Sequence, residues 1–312
     1  MDSLYVELPK AELHLHLEGS VEPETLRELA PEVDPAEIRA RYQYRDFPGF
    51  LKSYAWITGF LRGPEEYALI TRRLLERLQA QNVLYAEINL SAGVMLWRNQ
   101  AFDPIYRAVQ REAARSPVKV FWILDAVRQF GVEAARRVAE LAAERVGEGV
   151  AGFGIGGDEA RAPVELFADV FAFARSRGLH LVPHAGEAAG PESVWAALRL
   201  GAERIGHGIR SVDDPALMRR LRDHDIPLEV CLSSNVCTGV VPSLEAHPLR
   251  RLFDAGVPIV LNSDDPPMFH TTLAGEYELA AARLGFTGEE LRRLAANSFR
   301  YAFHYEAHHA AL

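Results

Sequence analysis

The sequence predicts an α/β fold of one kind, in which eight parallel strands, each followed by a helix or a long loop, close into a barrel. Three observations predict it. Short apolar, β-branched runs alternate with longer stretches of helical periodicity. There are eight such runs, and 312 residues leave room for a barrel of ~250 residues with additions. Polar residues also gather where the runs end, which is where barrels keep their sites. An open doubly wound sheet is the alternative, but it normally needs fewer strands.

The strands are expected at residues 11–17, 83–90, 118–126, 150–156, 179–185, 204–207, 228–232 and 259–262. Helical stretches lie between them, for example 64–81, 131–147, 163–177 and 215–223. Several open on a proline, which suits a first turn where the missing N–H costs nothing. Residues 22–62 make an excursion too long for a simple βα loop. The expected architecture is therefore a (β/α)8 TIM barrel with an insertion after the first strand and extra C-terminal helices. It is one domain over residues 1–312. The helical insertion 22–62 sits at the barrel mouth, as a substrate-covering lid or as a structural cap.

The chain carries 43 acidic against 34 basic residues, a net charge of −9. That balance argues against nucleic acid or an anionic membrane as partner, because both are held by concentrated positive charge. The arginines are scattered in pairs such as Arg72/Arg73 and Arg136/Arg137, the pattern of a solvated face. The chain start has no apolar signal region and no apolar run approaches ~18 residues, so a reducing cytoplasm is the expected compartment. Cys231 and Cys237 are then ordinary packing residues, not a disulfide framework.

The first strand reads AELHLHLEGS, and its period of two puts His14 and His16 on one face, with Leu13, Leu15 and Leu17 on the other. Two imidazoles are costly to bury unpartnered, and a metal ion solves that by taking one nitrogen of each. The fifth strand ends VPHAGE, with His184 and Glu187; the sixth ends IGHG, with His207; the eighth ends LNSDDP, with Asp264 and Asp265. Histidines and carboxylates converging on a barrel mouth match a zinc site with one position open for water. Such a site suits hydrolysis at an electron-poor carbon, with Glu187, His207 and Asp265 left over for proton transfer and for holding a substrate. The remaining histidines, among them His224, His304, His308 and His309, are expected at the surface or satisfied.

Six motifs then carry a resemblance: LHLHLEGS, GIGGDE, HAGE with GPES after it, ERIGHGIR, CLSSNVCTG and LNSDDPPMF. Together and in this order they resemble the adenosine deaminase family over almost the whole chain. The resemblance implies one zinc ion per chain, held by His14, His16, His184 and Asp264. It implies Glu187 as proton donor to purine N1, and His207 as the residue that orients the attacking hydroxide and takes up its proton. Asp265 would accept from N7, and the backbone N–H of Gly157 would meet N3. The implied reaction adds hydroxide to C6 of an adenine nucleoside and releases ammonia.

Glu18 departs from the adenosine-specific pattern, in which an aspartate at this place contacts the ribose. Glutamate there resembles the branch acting on free adenine, whereas IGHG and SNVCTG resemble the nucleoside branch. Deaminases of 6-aminodeoxyfutalosine, which serve menaquinone biosynthesis, combine the two, and GFGIGGDE and EINLSAGVMLW are similar to theirs. The aromatic and apolar residues Phe50, Tyr54, Trp56, Phe60, Met95 and Trp97 would then receive an aryl group at the ribose 5′ end, unless they are simply core. The implied substrates, in order, are 6-aminodeoxyfutalosine, adenosine and adenine. Two-metal barrel hydrolases fit less well, since Lys10, Lys52 and Lys119 give no bridging lysine at the fourth strand end. Nothing needed for chemistry is missing, as it would be in a non-catalytic binding relative. Cys231 and Cys237 lack the spacing and proline of the cytidine deaminase signature.

Overall fold

In the computed structural model, residues 3–305 are described. All eight expected strands form: β1 Lys10–His16, β2 Val83–Leu90, β3 Lys119–Val127, β4 Val150–Gly156, β5 His180–Ala185, β6 Ile205–His207, β7 Leu228–Val230 and β8 Ile259–Leu261. They pair in parallel and in sequential order from β1 to β8. Hydrogen bonds from His16 N to Asp264 O (2.9 Å) and from Asp264 N to His14 O (3.1 Å) close the ring between the end of β8 and β1. This is a (β/α)8 TIM barrel.

β7 is shorter than expected because the chain turns at Cys231 into a helix, Leu232–Cys237, which brings Ser234 and Asn235 to the mouth. Prolines occupy the first helical position at Pro23, Pro35, Pro64, Pro191 and Pro215, as their fixed φ favours. The two helices after β8 are Leu273–Leu284, capped by Thr272, and Gly288–Arg300, opened by a Thr287/Glu290 capping box. Among the described residues no helix is long and apolar enough to cross a membrane.

The period-two reading of β1 holds. Leu15 and Leu17 pack into the apolar layer between strands and helices, and Leu13 packs with Val260 and Phe299. His14 and His16 face other histidine rings. The other end of the barrel is closed by the chain after the last helix. Phe303 stacks on His180 at 3.8 Å and lies 3.7 Å from the Arg204 guanidinium. His224 and His304 are exposed as expected, while His308 and His309 lie outside the described residues. Cys231 and Cys237 are free thiols.

The insertion contains three helices, Pro23–Leu29, Pro35–Arg41 and Phe47–Ile57. Only the third reaches the cavity at the mouth, through Phe47, Phe50, Leu51 and Tyr54. Its Phe50 ring meets Phe269 at 5.0 Å, and Tyr54 shares a hydrogen bond with Ser91 (3.0 Å).

Candidate metal and catalytic site

A cavity of about 270 Å³ opens at the C-terminal ends of the strands, and His16, His184, Glu187, His207, Asp264, Asp265 and Gly157 all line it. Residues spread over 250 positions of sequence are thus brought to one place by strand order alone.

Asp264 stands at the centre. Its Oδ1 lies 3.6 Å from His14 Nε2 and 3.4 Å from His16 Nε2, and its Oδ2 lies 3.8 Å from His207 Nε2. The His184 ring is 4.6 Å from that of His14 and 5.4 Å from that of His16. His14 Nδ1 is held by Glu229 Oε2 at 2.8 Å, so the ring donates there and its Nε2 carries the lone pair. That Nε2 is buried and has no partner. An orphaned acceptor facing two histidines and a carboxylate has the chemistry of a metal ligand, and the Glu229 contact is the outer support such ligands have. Burial, and then the neighbouring histidines and an arginine, lower the pKa of His14 and His184 well below the usual value; burial takes His16 to about 3. All three are therefore neutral imidazoles, the ligating form. The donor set fits a divalent ion. Cys231 also lies within ligand range of His14 and Asp264, and burial pushes its thiol well above the usual value.

His207 faces the same centre, with Nε2 3.6 Å from Glu187 Oε2. Behind it runs a chain that fixes its tautomer. Leu249 N donates to His247 Nδ1 (3.1 Å), His247 Nε2 to Asn235 Oδ1 (3.1 Å), and Asn235 Nδ2 to His207 Nδ1 (3.2 Å). Neutral His207 therefore carries its proton on Nε2, pointed at the cavity. His207 and Asp264 both hold a left-handed backbone (φ 60° and 63°), a strain that sites commonly carry.

Glu187 is buried, which pushes its carboxyl up to about 8, with the Glu159 charge adding and Arg128 opposing. Glu159 holds the turn that carries Glu187: its carboxylate accepts from the N–H groups of Gly186, Glu187, Ala188 and Ala189 at 2.7–3.0 Å, and from Ser193 Oγ. Gly157 has φ 98°, and a Cβ there would meet Gln129 Oε1 at 2.2 Å. Asp265 is buried with Oδ1 unpaired, and a Cβ on Gly19 would overlap that oxygen at 1.4 Å. Burial and then the Asp264 charge raise Asp265 above the usual carboxylate range. The chemistry of the ring sets the direction of the expected contact: N7 of a purine offers a lone pair, so an Asp265 that meets it must donate rather than accept.

Glu18 does not line the cavity. It is buried behind Ser91, whose N–H it accepts at 3.0 Å, and its other oxygen has no partner. Of the six expected mouth residues, Phe50, Tyr54 and Trp97 line the cavity; Met95 is core, and Trp56 packs on Phe60 (4.9 Å) and Arg41 (4.8 Å). Phe47, Leu51, Val94, Val127, Phe130 and Phe269 complete the apolar wall and were not foreseen. Glu229, Asn235, Glu159 and Asp125 were also missed. Glu229 and Asp125 are single acids in apolar runs, where register toward the barrel interior was the only signal; Glu159 and Asn235 stand inside the GIGGDE and CLSSNVCTG motifs, beside other polar residues that masked them.

A parallel barrel with a histidine–aspartate cluster able to hold a metal at its C-terminal mouth has the architecture of a metal-dependent hydrolase. The adenosine deaminase family model matches residues 9–312, and the chain belongs to that family. It is similar to the aminodeoxyfutalosine deaminase of Streptomyces avermitilis, 39% identical over 317 residues that cover 97% of this chain and 88% of that protein. Its structure resembles the adenine deaminase of Arthrobacter aurescens, with TM-score 0.89, 31% identity and coverage of 96% and 95%. It also resembles an amidohydrolase from Burkholderia ambifaria with bound zinc, with TM-score 0.90, 28% identity and coverage of 96% and 87%.

Proposed function

We propose that this protein is a zinc-dependent hydrolytic deaminase that converts the 6-amino group of an adenine nucleoside to a 6-oxo group. The observation that carries the reading is the orphaned Nε2 of His14 within a cluster of His16, His184 and Asp264, with Glu187 and His207 on the same cavity. His14, His16, His184 and Asp264 would hold one zinc ion, and the zinc-bound relative supports that choice of metal. When bound, zinc supplies Lewis acidity that makes water a nucleophile at neutral pH.

The chain's own residues do the rest. Glu187, protonated at neutral pH, donates to N1 and so makes C6 electron-poor. His207, held at Nδ1 by Asn235, directs Nε2–H at the oxygen entering C6. Its uptake of a proton would need the Asn235 amide to turn. Asp265 donates to N7, and Gly157 N–H to N3. Phe47, Phe50, Tyr54 and Phe269 exclude water from the ring. The helical segment 22–62 acts as the cover, in one domain with the barrel.

We rank 6-aminodeoxyfutalosine first, adenosine second and adenine third. The apolar mouth, with Trp97 stacked on Phe130 at 5.4 Å, suits an aryl extension. The relative from Streptomyces avermitilis favours the same substrate, while the Arthrobacter aurescens structure keeps adenine in view. Glu18 then acts through the Ser91 backbone, shaping the sugar side. Ammonia release from the three compounds, compared as kcat/KM, decides. Highest kcat/KM on 6-aminodeoxyfutalosine is the expected result; preference for adenosine or adenine would overturn the ranking while leaving the deaminase reading in place.

A further inference from the structure

Asp125, near the end of β3, is a buried carboxyl that the reading above leaves without work. It is 4% exposed and lines the cavity. Its Oδ1 is buried with no hydrogen-bond partner. Arg128, whose charge acts on it, makes no hydrogen bond to it and donates instead to the carbonyls of Ala162 (3.0 Å) and His184. A buried, unpaired carboxyl is costly, and it persists where a ligand completes it.

Its place is specific. A Cβ on Gly154 would lie 3.2 Å from Asp125 Oδ1, and one on Gly156 would lie 3.6 Å from Asp125 Oδ2 and equally 3.6 Å from His184 Nε2. Bare glycines on β4 thus let the carboxyl stand in the open at the level of the histidines. In a closed barrel of eight strands in sequential order, β3 stands across from β7. His207 on β6 and Asp264 after β8 flank β7, so the oxygen arrives from that side. A purine with N1 at Glu187, after β5, and N7 at Asp265, after β8, turns one face to that wall. Its other face meets β2 and β3, where Val94 and Val127 are apolar and Asp125 is not.

We propose that Asp125 hydrogen-bonds the 6-amino group as it leaves, on the face opposite the entering oxygen. This rests on the deaminase reading. The tetrahedral adduct at C6 bears a hydroxyl and an amino group. The C–N bond breaks with its electron pair on nitrogen; nitrogen gains one proton and departs as ammonia. The hydroxyl loses one proton as the C=O bond forms. Asp125 holds the nitrogen through this exchange and is unchanged at its end.

The test compares adenosine with 6-chloropurine ribonucleoside, whose chloride leaves with its electron pair and needs no proton. Both give the same 6-oxopurine nucleoside, so one product assay serves. Asp125→Asn, nearly isosteric, and Asp125→Ala are measured beside the wild type with zinc content. The expected result is a kcat/KM on adenosine lowered about a hundredfold, with the chloro compound nearly unchanged and zinc retained. Equal loss on both nucleosides, no loss on either, or loss of zinc from both variants would each overturn the inference. A wild type inactive on both nucleosides and on 6-aminodeoxyfutalosine would overturn the deaminase reading as well, a failure distinct from the other three.

Discussion

At the scale of single residues, the proposed roles divide the site into groups that hold the ion and groups that touch the substrate, and substitutions should separate them. His16→Ala should lose the metal, read by elemental analysis of the purified variant. Glu187→Gln should keep the metal and lose nearly all turnover, because the amide occupies the same space but carries no acid proton. Retention of activity by Glu187→Gln would show that N1 is protonated by another group. The pH profile has a definite sign. In the proposed mechanism Glu187 is the acid, and burial raises its carboxyl to about 8. The rate should therefore hold through neutrality and fall about tenfold per unit as pH climbs above that value. These residues were legible in the sequence because each lies in a motif at a strand end. Asp125 and Glu229 were not. WILDAV and PLEVCL read as apolar strands with one acid, and only the barrel's register shows that the acid faces inward.

At the scale of the element, backbone shape does what side chains cannot. Gly19 follows Glu18 in the turn after β1, and Asp265 Oδ1 occupies the space a Cβ would fill. Gly19→Ala should therefore displace Asp265, lowering kcat/KM for adenine nucleosides while zinc content stays at one per chain. An active Gly19→Ala protein would show that the Asp265 contact is dispensable. The turn after β5 is organised in the same spirit, with five donors converging on the Glu159 carboxylate. The strands were readable because apolar runs bounded by turn residues leave little freedom. The mouth was only half readable. Phe50, Tyr54, Trp56 and Phe60 share one helical spacing, yet the first two face the cavity and the last two pack on each other. Helical periodicity marks a face as apolar; it does not say whether substrate or protein covers it.

At the scale of the whole molecule, a buried line of charge ties the far end of the barrel to the metal site. Phe303 N donates to Glu87 Oε1 (2.7 Å); Glu87 pairs with Arg204; Arg204 Nε donates to Glu229 Oε1 (2.6 Å); Glu229 holds His14. Arg204 also donates to the carbonyl of Tyr301 at 2.8 Å, so the last described turn is part of the same network. Removing one member leaves buried charge without a partner. Arg204→Ala should thus cost about 3–5 kcal/mol in urea unfolding and should weaken zinc binding in chelator competition. An Arg204→Ala protein of unchanged stability would show that water enters and replaces the guanidinium. No motif announced this line, because its members come from three strands, the residue before β6 and the C-terminal segment, and meet only once the barrel closes. The central claim concerns the ion and the amino group together. One preparation, stripped of metal by a chelator and then restored with zinc, should be assayed for ammonia release from adenosine and 6-aminodeoxyfutalosine. The account predicts no release from the stripped protein and full release at one zinc per chain. Undiminished release after complete stripping, or no release with zinc bound, would contradict it.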